Sequence, residues 1–140
     1  MTDSVLICGS VAFDSIALFE GRFRDHFLAD KLHAINVSFL VPTMRRDFGG
    51  CAGNIAYGMS VLGGRPIPVA TVGEDSGDYL DRFKRLGIDV SRIRVVPDTL
   101  TATCYITTDL ENNQITAFHP GAMAYSAEND LTGTDARWAI

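Results

Sequence analysis

At 140 residues, with 46% hydrophobic and 21% charged positions, the chain can build one ordinary core, and nothing in it is fibrous, disordered or disulfide-stapled. A net charge of −5 with scattered basic residues excludes a Lys/Arg-dominated face for nucleic acid. Cys8, Cys51 and Cys104 lie far apart in no zinc or C-x-x-C spacing, and Met1-Thr2-Asp3 followed by the short apolar run Val5–Cys8 is no signal peptide or membrane span, so a cytoplasmic protein is expected.

Val5-Leu6-Ile7-Cys8 is a continuous apolar run ending in Gly9-Ser10, the pattern of a strand buried on both faces of a parallel sheet. Ligands of open α/β sheets bind beyond the carboxyl ends of the strands, which makes Asp14, in Gly9-Ser10-Val11-Ala12-Phe13-Asp14, a site candidate. From Ser15 to Phe48 the pattern changes. Short β-like pieces, Ile16–Phe19 and Ile35–Val41, flank a helical turn within Arg24–Leu32, and the segment reads as an antiparallel flap returning at Arg45-Arg46-Asp47-Phe48. The Arg45-Arg46 pair is better explained as a solvated strand end than as a phosphate site.

Gly49-Gly50-Cys51-Ala52-Gly53-Asn54 opens a helix whose apolar stripe is read as Ile55, Met59 and Leu62, closed by Gly63-Gly64. Pro66–Val72 is the next buried strand. A second helix follows Gly73-Glu74-Asp75-Ser76, with Tyr79, Phe83 and Leu86 inward, Asp78/Arg82 and Asp81/Arg85 as i, i+4 pairs and Gly87 as its cap. Asp89–Val96 gives a further strand. Thr101–Thr108 and Gln114–His119 form a hairpin through Glu111-Asn112-Asn113 that extends the flap. Pro120–Met123 turns, Ser126–Asp130 starts a helix, and Ala136–Ile140 looks like an element whose strand is still to come. The order is that of an α/β domain of parallel type with an inserted antiparallel flap.

Free N–H groups at the glycine-rich helix start favour oxygen-rich ligands, although tight packing explains such a glycine pair equally well. The spacing fits neither G-x-G-x-x-G nor a Walker loop, so a dinucleotide-binding dehydrogenase is disfavoured. Asp14 and Asn54 together suit a vicinal diol, one accepting and the other also donating; the plainer alternatives are a turn-forming Asp14 and an Asn54 that caps its own helix. His26, His33 and His119 show no metal-binding pattern, and Cys51 at the helix start is expected to pack, the alternative being a thiol activated by the helix N-terminus.

Gly9-Ser10-Val11-Ala12-Phe13-Asp14 resembles the first-strand signature of the PfkB carbohydrate kinases, and Gly49-Gly50-Cys51-Ala52-Gly53-Asn54 is similar to their first glycine-rich motif. Leu62-Gly63-Gly64, Val72-Gly73-Glu74-Asp75 and His119-Pro120-Gly121-Ala122 carry the likeness along the whole chain. Gly21-Arg22-Phe23, Val37–Val41 and Gln114–Phe118 are most similar to bacterial adenosine kinases of the ribokinase-like type. The resemblance implies a ribokinase-like α/β fold, incomplete here, with core residues 1–14, 49–98 and 124–140 and an antiparallel β lid of residues 15–48 and 99–123. It also implies an ATP-dependent kinase for the 5′-hydroxymethyl group of a nucleoside (adenosine) or of a sugar such as ribose. Asp14, Gly50 and Asn54 would then hold the ribose hydroxyls with Gly49 as a further substrate-binding residue, Ser10 and Ser38 would line the base side, and Phe118 would stack on the purine. Cys104 stands where such kinases carry a second aromatic, which loosens the expected base clamp.

The catalytic aspartate, anion hole, ATP pocket and magnesium ligands of the family belong to a C-terminal half that these residues do not contain. ATP and Mg2+ are therefore expected for the full-length enzyme, with none bound by this segment, no metal site and no phosphate transfer by the chain alone. A homodimer through the lid strands is a further expectation. The alternative is a ligand-binding or oligomerisation module of the same fold without catalysis.

Overall fold

The computed structural model describes residues 3–140; Met1 and Thr2, on which part of the no-leader expectation rests, lie outside the described residues. The chain divides into two compact units. The first comprises the chain up to Phe13, Phe48–Thr103 and His119–Ile140, and the second comprises Asp14–Asp47 and Cys104–Phe118.

The first unit is built on a four-stranded sheet containing β1 (Ser4–Cys8), β4 (Arg65–Val72), β5 (Ile93–Val95) and β8 (Trp138–Ala139) in the order β5-β4-β1-β8. Every pair is parallel, with Leu6 opposite Ile67, Thr71 opposite Arg94 and Val5 opposite Trp138. Parallel strands need crossovers, and two helices supply them: α1 (Cys51–Val61) before β4 and α2 (Gly77–Arg85) between β4 and β5. Ile7, Val11, Phe13, Ala52, Ala56, Ala70, Val72, Tyr79, Phe83 and Ile88 form the core. The Tyr79 ring sits at its centre, edge-on to Phe13, Phe48 and Phe83.

Several local expectations need correction. The first helix turns only Met59 of its predicted stripe partly onto the core, and not Ile55 and Leu62. It buries Ala52, Gly53 and Ala56, whereas Ile55 is exposed and Leu62 is 88% exposed. Small residues bring the helix axis close to the sheet, and Ile55 and Leu62 rotate outward. In α2, Asp81 pairs with Lys84 at 3.3 Å, and Arg82 lies over the rings of Phe48 and Tyr57 at 4.9 and 4.8 Å. Residues 89–92 lie outside β5, and there the Asp89 carboxylate accepts the Ser91 N–H at 2.8 Å. The helical turn placed at Ser126–Asp130 is a 3-10 segment spanning Gly121–Glu128. The closing apolar run is itself a strand: Ile140 N–H donates to the Leu6 carbonyl at 3.0 Å, and Cys8 N–H to the Ile140 carbonyl at 2.7 Å.

A second, mixed sheet holds β2 (Ala12–Leu18), β3 (Thr43–Gly49), β6 (Ala102–Thr108) and β7 (Gln114–His119) in the order β3-β2-β6-β7, and most of it belongs to the second unit. The turn between β6 and β7 is too short for a crossover, so that pair is the antiparallel hairpin the sequence predicts. Its tip contains Asn112 at φ 63°, a conformation Asn tolerates. The predicted strand over Ile35–Val41 is absent: these β-branched residues run irregularly, and the neighbouring strand is β3.

Candidate functional site

The residues singled out in the sequence fall in both units. Ser10, Gly49, Gly50 and Asn54 belong to the first, and Asp14, Ser38 and Phe118 to the second.

In the first unit, Gly9-Ser10 follows the carboxyl end of β1 and meets the start of α1. The Cys51 N–H donates to the Ser10 hydroxyl oxygen at 2.9 Å, and the Gly53 N–H donates to the Ser10 carbonyl at 3.2 Å. Ser10 therefore caps a helix in which the N-cap residue itself, Gly50, has no side chain to offer. Gly50 lies at φ 88°, and a Cβ there would stand 2.5 Å from the Ser10 carbonyl oxygen and 2.8 Å from the Ala12 nitrogen. Close packing thus gives Gly50 a reason of its own. Gly49 is buried, and its carbonyl accepts the Tyr79 hydroxyl at 2.7 Å. Asn54 is exposed within the first turn of α1, and its N–H donates to the Gly50 carbonyl at 2.9 Å. Its side chain is not the helix cap, which removes that alternative for it.

In the second unit, Asp14 lies half-buried on β2, between β3 and β6. Burial, and after it the Asp47 carboxylate, push the Asp14 carboxyl above its ordinary value. Burial and the Asp14 charge likewise raise the Cys104 thiol. Asp47 also holds Arg45 at 2.8 Å. Ser38 is exposed on the irregular segment, and Phe118 lies half-exposed on β7, where every residue is exposed.

Two features were not legible beforehand. One is the Tyr79 hydroxyl holding Gly49, for which no motif exists. The other is Asp109, buried at 1% exposure in the turn between β6 and β7, where the run Asp109-Leu110-Glu111-Asn112-Asn113 carries an Asx-turn signal. Among the described residues, no group of three or more His, Cys, Asp or Glu side chains is arranged to hold a metal ion. Among the same residues, no helix is long and apolar enough to cross a membrane.

The pfkB family carbohydrate kinase model matches residues 11–137. The chain belongs to that family. It is 34% identical over 123 residues to a nucleoside kinase of Methanothermobacter thermautotrophicus, covering 86% of this chain and 37% of that protein. The fold is also that of the Burkholderia thailandensis nucleoside kinase solved in complex with inosine: 55% identity, TM-score 0.83, 97% of this chain and 43% of that one. The same enzyme in complex with ADP-inosine gives 57% identity and a TM-score of 0.75, again over 97% and 43%. The nucleoside kinase of Methanocaldococcus jannaschii, an archaeal member of the ribokinase family, matches at 28% identity and TM-score 0.83 over 99% of this chain and 44% of that one. The fold is therefore ribokinase-like, and the chain spans well under half the length of these relatives.

Proposed function

We propose that this chain is the N-terminal part of one pfkB kinase domain, with core residues 1–14, 49–98 and 124–140 and lid residues 15–48 and 99–123. We infer that it forms the acceptor-binding part of an ATP-dependent nucleoside kinase. The carrying observation is 55% identity across 97% of the chain to a nucleoside kinase solved with inosine. The acceptor is a purine nucleoside such as adenosine or inosine, phosphorylated on its 5′-hydroxymethyl group, and ribose is the simplest sugar that presents the same hydroxyls. Asp14, Gly50 and Asn54 hold the ribose diol: an ionised carboxylate accepts two hydroxyls, and the exposed Asn54 amide both donates and accepts. Gly49 completes the helix start, Ser38 and Ser10 line the base side, and Phe118 stacks on the base. The Ser10 oxygen receives the Cys51 N–H and keeps its own proton to donate.

On this reading no ligand of ATP or Mg2+ lies among the residues present. The Cys51 and Gly53 N–H groups at the α1 N-terminus already donate to Ser10. The nucleotide, the metal and the catalytic base are accordingly assigned to the part of the protein that corresponds to the uncovered length of the relatives, in a cytoplasmic enzyme. The edge strand β7 supplies a surface for a homodimer.

The test is calorimetry on the complete reading frame that contains this chain, titrated with inosine, adenosine and ribose, together with nucleoside-dependent ADP release from ATP. Saturable heat with at least one nucleoside and coupled ADP formation are expected. Heats equal to buffer with all three would refute the acceptor reading, and steady ATP turnover by residues 1–140 alone would refute the assignment of catalysis elsewhere.

A further inference from the structure

The turn between β6 and β7 contains a buried carboxylate tied to three other residues. Asp109 Oδ1 accepts the N–H groups of Glu111 at 2.9 Å and Asn113 at 2.8 Å, and Asp109 Oδ2 accepts the Phe23 N–H at 3.0 Å. The Asn113 side-chain amide reaches both oxygens, at 3.2 and 3.0 Å. Beside this knot, Leu110 N–H donates to the Gly21 carbonyl at 3.0 Å, and Glu111 meets both Arg22 at 3.2 Å and Arg24 at 2.9 Å. All these groups lie in the second unit, and they fasten the hairpin tip to the segment around Phe23.

Phe23 carries the effect onward. Its ring stacks on Phe19 with centroids 5.8 Å apart and lies 5.0 Å from Phe39, which also meets Phe19 at 4.8 Å. Phe39 belongs to the irregular stretch that replaces the predicted strand, and it is the neighbour of Ser38. A stretch outside any helix or strand takes its position from side-chain anchors, and Phe39 is such an anchor.

We propose that Asp109 is a positioning residue for acceptor recognition: through Phe23 and Phe39 it fixes the segment that carries Ser38. This rests on the reading of Ser38 as a nucleoside contact. Asp109→Asn leaves one acceptor oxygen where two serve, so the Phe23 N–H on one side competes with the Glu111 and Asn113 N–H groups on the other, and the aromatic cluster loses the fixed point from which Phe39 is held.

The test uses the complete protein, wild type beside Asp109→Asn, Phe39→Ala and the double variant. Asp109→Asn is expected to raise the nucleoside KM by about tenfold, with kcat at saturating nucleoside and the KM for ATP unchanged, because positioning of a substrate contact is lost and no transition-state group is touched. The nuclear Overhauser contact between the Phe23 and Phe39 rings should weaken in the same variant. Phe39→Ala should raise the nucleoside KM likewise, and the double variant should add nothing further, as for two members of one linkage. Should Asp109→Asn fail to fold, Asn113→Ala removes part of the knot and carries the same expectation. A wild-type nucleoside KM in the Asp109 or Asn113 variant, or an equal fall in kcat with a raised KM for ATP, overturns the assignment while leaving the nucleoside kinase intact. Wild-type protein that binds no nucleoside overturns the functional reading first and this assignment with it.

Discussion

The Asp14 carboxyl is lifted first by its own burial and second by the charge of Asp47, one strand over. An acceptor site that uses Asp14 ionised should therefore lose nucleoside affinity as the pH falls, starting above the ordinary carboxylate value of 3.8. Asp47→Asn removes the like charge, so the acid limb of affinity should move to lower pH; calorimetric titration across the acidic range would show it, and an unmoved limb would separate Asp14 from binding. Asp109 behaves in the opposite sense. Burial pushes its carboxyl up, but the bonds from the Asn113 amide and from the N–H groups of Phe23, Asn113 and Glu111 outweigh that and hold it at about 2. A carboxyl lowered on folding stabilises fully above its unfolded value and loses that contribution as the pH falls from 3.8 towards about 2. Urea unfolding in that window should show a steeper acid loss in wild type than in Asp109→Asn. Asp14 could be singled out in the sequence because it follows a strand of distinctive pattern. Asp109 could not, since the partner that gives it meaning, Phe23, lies 86 residues away.

At the scale of elements, the start of α1 is set by packing. Gly53 faces the Tyr79 hydroxyl closely enough that a Cβ would collide with it, and that hydroxyl holds the Gly49 carbonyl at 2.7 Å. Gly53→Ala should therefore destabilise the protein by about 1–3 kcal/mol, the usual cost of overpacking, despite the better helix propensity of alanine. Tyr79→Phe removes the colliding oxygen, so the double variant should recover part of the loss; equilibrium unfolding of the four proteins would measure the coupling, and strict additivity would exclude the collision. Leu62→Ala, at an 88% exposed position, should change stability by no more than about 0.5 kcal/mol. Helical spacing predicts the opposite ranking. Periodicity identifies which residues share a face, but here the small residues Ala52, Gly53 and Ala56 face inward with Met59 partly buried beside them, while Ile55 and Leu62 face outward. A sequence pattern weighted by hydrophobicity cannot register a face made of Ala52, Gly53 and Ala56.

For the molecule as a whole, the parallel sheet was readable because β1 and β4 are continuous apolar runs, bounded by glycine turns and joined by helices of recognisable length. The second sheet was readable only in part. The hairpin declared itself through β-branched strands and a polar turn, whereas Ile35, Val37 and Val41 have strand composition without a strand to pair with. That sheet ends on β7, six residues exposed along their length, including Ile115 at 42%. An edge of this kind is a template for another strand unless charge or coverage blunts it, and β7 carries no Lys, Arg, Asp or Glu. A second copy of the same strand, related by a two-fold axis, would meet it with identical residues. Ile115→Lys combined with Ala117→Lys puts two like charges on the face opposite Phe118, which such a pairing would bring into direct opposition. Sedimentation equilibrium of the complete protein should show a dimer in wild type and a monomer in the double-lysine variant, with nucleoside affinity retained. A wild-type monomer, or a dimer that tolerates both lysines, would show that β7 is not the pairing edge.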